Sequence, residues 1–206
     1  MGGTGNLGFG LAVRLSKAYS VAIGSRDPGR ATAAAAKATS MSRVRIEAKT
    51  NEEAARWSDI AILAVPELPS PDFLASLAPS LMEKLVISPI VPMKFNHGIA
   101  TLDLSADSAA ERVARALPAS RVAAAFHTVP APKLVELDAE LAYDVLVTAD
   151  SRGVYAEAAS LVSSVGTLRP FYAGPLSVTR LVEAMTPVLV NVSKLNGLKS
   201  PSLRLV

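Results

Sequence analysis

Short apolar runs alternate with stretches in helical period along most of the chain's 206 residues. "SVAIG" (20–24) reads as a buried strand. "PGRATAAAAKATS" (28–40) reads as a helix opened by a proline and carried by strong helix formers. "VRIEA" (44–48) is a short strand, and "TNEEAARW" (50–57) a helix whose Thr50 and Glu53 have capping-box spacing. "DIAILAVP" (59–66) is the clearest strand, apolar throughout and ended by Pro66. "SPDFLASLAPSLME" (70–83), "SAAERVARAL" (108–117) and "VYAEAASLVSSVG" (154–166) are helical, the last stopped by its glycine. "LVISPIVP" (85–92), "RVAAAFHTV" (121–129) and "YDVLVTAD" (143–150) are strands, the first running into a proline-rich loop. Such alternation requires crossover connections, and so predicts a doubly wound α/β fold: a mostly parallel sheet with helices on both faces, spanning residues 1–166.

From about Leu168 the pattern changes. Residues 167–206 read as a small C-terminal region, a loop followed by one mainly apolar helix that Pro187 should kink or restart. Its apolar residues cover more than one face, which suits a buried packing helix or an oligomer contact. Glu183 and Asn191 argue against a membrane span.

Composition narrows the classes. Hydrophobic residues make up 50% and charged residues 19%, enough apolar surface for a core and too little charge for a disordered chain. The net charge of +3 suits anionic ligands. Without long Lys/Arg runs, and with 5% aromatics, it does not make a nucleic-acid surface. The absence of cysteine excludes disulfides, thiolate metal sites and thiol catalysis. The apolar runs are too short to span a bilayer and no secretory leader is evident, so a cytoplasmic protein without membrane contact is expected.

The chain opens on "MGGTGNLGFG", in which Gly3-Thr4-Gly5-Asn6-Leu7-Gly8 matches G-x-G-x-x-G. The first glycine permits a tight turn, the second lets a pyrophosphate approach the backbone, and the third allows close packing of helix on strand. The following helix offers unpaired N–H groups to phosphates. A glycine-rich turn alone would look similar, so context decides. About 20 residues on, an NAD site carries an acidic residue for the ribose 2′-hydroxyl. Here "GSRDPGR" supplies Ser25 and Arg26, with Arg30 a helical turn later, and Thr4 adds a hydroxyl from the loop. Those groups suit a 2′-phosphate, hence NADP over NAD. Asp27 sits awkwardly beside that phosphate unless it points away or caps the helix.

The Rossmann-type reading raises a difficulty at the first residue. A glycine loop follows a strand in the middle of the sheet, and Met1 can be only that strand's last residue. We therefore expect the first strand to be truncated, with about five or six apolar residues upstream and Met1 an internal methionine. Without them, two rows of backbone groups lack partners, and poor stability and weakened nucleotide binding follow.

A second ligand belongs at the carboxyl ends of the strands. The loops "ISPIVP" (87–92) and "FHTVPAP" (126–132) are proline-stiffened, apolar and sparingly polar, as a pocket for a flat heteroaromatic ring should be. Of the two histidines, His127 lies just past a strand, whereas His97 falls in a surface loop and receives no role. No metal-ligand spacing, nucleophile elbow or carboxylate pair is present, and no catalytic residue is singled out. Hydride transfer between two ring cofactors needs little more than alignment and exclusion of water.

Together "GGTGNLG", "GSR", "DIAILAVP", "VISPIVP", "FHTVPA" and "AGPLSVTRLVEAMTPVLVNVSKLNG" resemble the NADPH-dependent reductases of coenzyme F420, over residues 2–197. The resemblance implies reversible hydride transfer between NADP(H) and the 8-hydroxy-5-deazaflavin. It also implies a C-terminal region that closes over the deazaflavin, and a homodimer with small-molecule cofactors as substrates. Carried onto this chain, Thr4, Ser25, Arg26 and Arg30 would hold the 2′-phosphate, and Gly3, Gly5, Asn6 and Leu7 would line the pyrophosphate. Ser88, Pro89 and Val91 would border the ring pocket, and His127, Val129 and Pro130 would contact the deazaflavin. A second basic residue is common after the Ser-Arg pair, and Asp27 departs from that. Another NADPH-dependent reductase of a small molecule, or a nucleotide-sensing regulatory module, remains open.

Overall fold

A computed structural model describes residues 1–103 and 107–206. After the glycine loop come helix α1 (Asn6–Leu15), strand β1 (Val21–Ser25), α2 (Pro28–Ser42), β2 (Ile46–Thr50) and α3 (Asn51–Trp57). Next are β3 (Ile60–Ile62), α4 (Pro71–Leu81), β4 (Leu85–Ser88) and a hairpin of β5 (Met93–Asn96) and β6 (Ile99–Leu102). The chain ends with α5 (Ala109–Ala116), β7 (Arg121–Ala124), α6 (Ala131–Leu134), β8 (Asp144–Ala149), α7 (Arg152–Ser163), β9 (Arg169–Gly174), a 3-10 turn at Leu176–Val178 and α8 (Thr179–Asn196).

The caps explain several boundaries. Thr50 and Ser108 form reciprocal capping boxes with Glu53 and Glu111, closing the first turns of α3 and α5. Ser70 and Ser151 cap α4 and α7, and a left-handed Gly197 ends α8.

The strands form a pair β1-β2 and a five-stranded sheet in the order β3-β4-β7-β8-β9. All neighbours are parallel except β7 and β8. Central β4 is buried at all four positions, and the period of two sorts its side chains. Leu85 and Ile87 join Leu11, Leu15, Val145, Val147, Leu161 and Val162 on one face, under α1, α6 and α7. Val86 joins Leu63, Leu74, Leu77, Leu81 and Val113 on the other, under α3, α4 and α5. A third cluster packs Ala35 and Ala38 of α2 with Val13, Ile23 and Ile46. The doubly wound α/β class is therefore as expected.

The edges of β1 and β3 that face each other are bridged at one end only. Gly3 N–H donates to the Gly24 carbonyl at 3.2 Å, and the Met1 nitrogen and carbonyl bond to Ile62 and Ala64 at 2.9 and 3.0 Å. Below Met1 a cavity of about 500 Å³ separates the two strands.

Four local expectations are revised. The strand over 59–66 is confined to Ile60–Ile62, because Val65 N–H turns back onto the Leu63 carbonyl at 2.8 Å and takes the chain out of the sheet. The loop holding His97 is the tip of a hairpin, with His97 at φ 45° and Gly98 at φ 81°, the positive pair a two-residue turn requires. The loop after Leu168 is β9, whose Pro170 is tolerated because β9 is the sheet's last strand. Helix α8 runs through Pro187 without restarting. It is clasped on both sides: Glu183 accepts from Ala109 N–H at 2.8 Å, and the Asn191 amide exchanges two hydrogen bonds with the Ala100 backbone at 2.7 and 2.8 Å. No described helix is long and apolar enough to cross a membrane.

Candidate functional site

The carboxyl ends of β1, β3, β4 and β7 share one edge, and the glycine loop, the 88–91 loop and the 125–130 loop all emerge there. Each glycine of the motif has a distinct reason. A Cβ on Gly8 would stand 2.8 Å from the Gly2 carbonyl oxygen and Gly3 Cα, and one on Gly3 would meet Ile23 at 3.0 Å. At Gly5 a Cβ would meet only the Gly2 oxygen, at 3.6 Å. Gly8 is thus required by the protein itself and Gly3 sits tightly against Ile23, whereas Gly5 leaves open a space on the exposed side of the loop. The first helical bond of α1 runs from Phe9 N–H to the Gly5 carbonyl at 2.8 Å. The amides of Asn6, Leu7 and Gly8 therefore have no intrahelical acceptor and can bind an anion. Thr4 is half-buried, and Asn6 is exposed.

At the end of β1, Ser25 is buried and its Oγ accepts from Asp27 N–H at 3.2 Å, leaving the hydroxyl proton to donate. Asp27 resolves its own awkwardness: it is the N-cap of α2 and accepts from Arg30 N–H at 3.1 Å. Arg26 and Arg30 are exposed, and neither makes an ion pair among the described residues. Two free guanidinium groups beside a hydroxyl donor can take a phosphate.

The 88–91 and 125–130 loops leave neighbouring strands. Ser88 pairs with Ala124 across β4 and β7, and Ala125 N–H donates to the Ser88 carbonyl at 3.3 Å. Ser88, Pro89, His127 and Val129 are buried, with Val91 and Pro130 half-buried at the margin. Among the described residues, the Ser88 Oγ and both ring nitrogens of His127 have no hydrogen-bond partner. Buried polar atoms without partners cost free energy, so three of them on adjacent loops point to a ligand that satisfies them. Burial pushes the His127 imidazole down to about 4, keeping the ring neutral with one N–H to give and one lone pair to receive. No group of metal ligands occurs among the described residues.

The loop around His127 is held from outside by residues the sequence did not flag. Phe126 adopts φ 70°, rare for a bulky residue, and Val129 N–H closes a turn onto its carbonyl at 3.2 Å. The Thr186 hydroxyl of α8 donates to the His127 carbonyl at 3.0 Å, and Ser202 donates to the Thr128 carbonyl at 2.8 Å. The buried Arg14 guanidinium, its pKa lowered mainly by burial, donates to the carbonyls of Leu134 and Glu136 at 2.9 and 2.6 Å. It thereby ties helix α1 to the segment after the His127 loop. For Arg14 and Thr186 the sequence signal was a charge or hydroxyl set in an otherwise apolar helical pattern, whereas Ser202, in the irregular C-terminal tail, carried none.

Residues 1–92 match the family described as NADP oxidoreductase, coenzyme F420-dependent. The chain is 35% identical to the F420-dependent NADP reductase of Methanothermobacter thermautotrophicus, over all of this chain and 92% of that one. It is 34% identical to the enzyme of the same name from Methanothermobacter marburgensis, over all of this chain and 96% of that one. In fold it superposes on a crystal structure from Arthrobacter sp. FB24, provisionally described as an F420-dependent NADP reductase. The TM-score is 0.80 at 22% identity, covering 98% of this chain and 96% of the other. At 34–35% identity over its whole length, and with the family's match over its first 92 residues, the chain belongs to the coenzyme F420-dependent NADP oxidoreductase family.

Proposed function

We propose that this protein transfers hydride reversibly between NADP(H) and coenzyme F420, with the NADP(H) pyrophosphate over the glycine loop and the deazaflavin against the 125–130 loop. The observation that carries the reading is the set of buried, unpartnered atoms on Ser88 and His127 at the edge where the glycine loop emerges. When both cofactors are bound, they supply the chemistry themselves: C4 of the nicotinamide exchanges a hydride with C5 of the deazaflavin.

The chain's own residues bind, align and dry the site. Gly3, Gly5, Asn6 and Leu7 seat the pyrophosphate through backbone N–H groups, and Thr4, Ser25, Arg26 and Arg30 hold the 2′-phosphate. Pro89, Val91, Val129 and Pro130 provide stiff apolar walls, and His127 and Ser88 fix ring orientation by hydrogen bonds. No group is required to deliver a proton to a reacting carbon, which agrees with a neutral, solvent-shielded His127. Residues 167–206 close the ring pocket, since α8 and the C-terminal tail hold the 127–128 backbone. A homodimer is supported by Leu181, Val188 and Leu195, exposed apolar residues spaced seven apart along α8. The enzyme works in the cytoplasm, where both cofactors are at hand.

The test is direct. Purified protein is mixed with NADPH and oxidised F420, and the deazaflavin's visible absorbance is followed. Its loss is expected; no turnover while NADPH still binds would overturn the reading.

A further inference from the structure

Helix α1 carries a glycine that the phosphate-binding motif does not use. Gly10 is buried in the middle of the helix, where glycine is unfavourable and a packing reason is expected. The neighbour that requires it is Leu134 of α6. A Cβ on Gly10 would stand 2.5 Å from Leu134 Cβ and 3.1 Å from its Cδ1. Two apolar carbons settle at about 3.5–4.0 Å, so any side chain at position 10 drives the two helices about 1 Å apart. Leu134 is fully buried and its Cβ is fixed to the backbone, so it cannot swing aside without moving α6.

This crossing stands about one helical turn from each ligand seat. On α1, Gly10 follows the unpaired amides of Asn6, Leu7 and Gly8 that can bind an anion. On α6, Leu134 follows Val129 and Pro130 of the ring loop, and Lys133 N–H closes that turn onto the Pro130 carbonyl at 2.9 Å. α6 packs chiefly on α1, so α1 decides where it lies. On the outer flank of the pair is a groove of about 300 Å³, bordered by Asn6 and Phe9 of α1 and Ala131 and Pro132 of α6. Such a groove leaves α6 room to be displaced. Arg14 locks the same crossing one turn further along α1, donating to the Leu134 and Glu136 carbonyls at 2.9 and 2.6 Å. The close approach at Gly10 brings those carbonyls within its reach.

We propose that Gly10 is a positioning residue for hydride transfer. Its missing side chain sets how close α6 lies to α1, and with it the spacing between the pyrophosphate seat and the deazaflavin wall. Gly10 itself is buried between the helices and acts through Leu134 and the turn after Pro130. This role rests on the placement of the two cofactors proposed above. A hydride moves only between carbons already held in near-attack geometry, and a displacement of about 1 Å can cost about 100-fold in rate. Affinity depends instead on the two seats taken singly, each carried by its own helix. Widening the crossing therefore slows transfer and spares the binding of either cofactor alone.

The test compares Gly10→Ala and Arg14→Lys with the wild type and with Leu117→Ala. Leu117 is a buried core residue where α5 turns towards β7, at the amino ends of the strands, and controls for lost stability alone. Titration gives the affinities for NADPH and for F420 separately. Rapid mixing of F420 with NADPH, and with NADPH deuterated at the transferred position, gives the transfer rate and the isotope effect on turnover. Gly10→Ala is expected to slow transfer about 10- to 100-fold and to enlarge the isotope effect, with each affinity within about twofold of wild type. Arg14→Lys keeps the charge but gives up the planar fork, and should slow transfer severalfold in the same pattern. Leu117→Ala should lower Tm and leave the transfer rate and isotope effect unchanged. A Gly10→Ala protein that transfers hydride at the wild-type rate, or is slowed no more than Leu117→Ala, overturns the role of Gly10. A loss confined to cofactor affinity overturns it too. Should Gly10→Ala fail to fold, Arg14→Lys decides by the same criteria. A wild-type protein that transfers no hydride between these cofactors overturns the functional reading itself, and this role with it.

Discussion

The Thr186 hydroxyl donates to the His127 carbonyl at 3.0 Å, joining the middle of the C-terminal helix to the loop that carries the one buried imidazole. The residues lie 59 apart in sequence, and this bond, with Ser202 on the Thr128 carbonyl, fixes the backbone on which the ring stands. Neither His127 ring nitrogen has a partner among the described residues, so packing and these backbone contacts set its position.

Thr186→Val keeps the shape and removes the donor. One hydrogen bond contributes about 1 kcal/mol, so we expect KM for F420 to rise about fivefold, with KM for NADPH unchanged. Thr186→Ser should restore the wild-type value. Steady-state kinetics against each cofactor checks this, and an equal rise in both KM values would show a general loosening instead.

Two glycines of one motif should fail differently. Gly8→Ala places a Cβ 2.8 Å from backbone atoms of Gly2 and Gly3, so the protein itself must shift. We expect its Tm to fall by several degrees, with NADPH binding lost as a consequence. Gly5→Ala places its Cβ 3.6 Å from the nearest backbone oxygen, with room to spare. Its Tm should stay within about 2 °C of wild type while NADPH affinity falls at least tenfold, because the methyl occupies the approach to the pyrophosphate. Thermal melts alongside NADPH titrations separate the two.

How much of this was legible depends on the range of the signal. Local chemistry was readable: the Thr50–Glu53 and Ser108–Glu111 boxes turn on residues three apart, and the buried run 85–88 announces a central strand. The hairpin at 93–102 was written in Asn96-His97-Gly98, yet its flanks are mostly exposed and lack the apolar alternation that marks a half-buried strand. β9 was hidden by Pro170, which only an edge position excuses. The proline-stiffened loops over 87–92 and 126–132 were legible, but their braces were not. Thr186, Ser202 and Arg14 act on carbonyls 59, 74 and 120 residues away, and a carbonyl has no signature in sequence. Asp27 shows the converse. Its charge looked wrong beside a phosphate, and only its bond to Arg30 N–H reveals a helix cap.

The basic corner yields a discriminating test of the 2′-phosphate reading. Arg26→Ala removes an exposed guanidinium with no carboxylate partner among the described residues, so stability should not change. A charge-assisted phosphate bond is worth about 1.5–3 kcal/mol, and KM for NADPH should rise roughly 10- to 100-fold with KM for NADH unmoved.

Asp27→Ala should act in the opposite sense at the same corner. Losing the α2 cap costs about 1 kcal/mol and lowers Tm by about 2–4 °C. It also removes a negative charge near the phosphate, so KM for NADPH should fall or hold. A rise in that KM together with normal stability would place Asp27 against the ligand rather than the helix.

The pH dependence of stability should contain two opposed contributions. His127 has its folded pKa pushed by burial from 6.5 to about 4. Between those values the unfolded chain binds the proton and the folded protein does not, so this residue destabilises the fold as pH falls from 6.5 towards 4. Glu183 has its carboxyl raised by burial from 4.5 to about 7, despite accepting from the amides at the start of α5. Between 4.5 and 7 the folded protein holds the proton and the unfolded chain has lost it, so stability drains away as pH rises through that window. The two slopes partly cancel between pH 4.5 and 6.5. Glu183→Gln should therefore expose the histidine alone, giving a Tm that falls by several degrees on acidification from 6.5 to 4.5. His127→Asn should leave the glutamate alone, with a Tm that falls as pH rises from 4.5 to 7. Melts of both variants across pH 4.5–7 check the signs, and parallel curves would remove one of the two assignments. Turnover in the wild type should be flat with respect to His127 over pH 5–8, where the imidazole stays neutral.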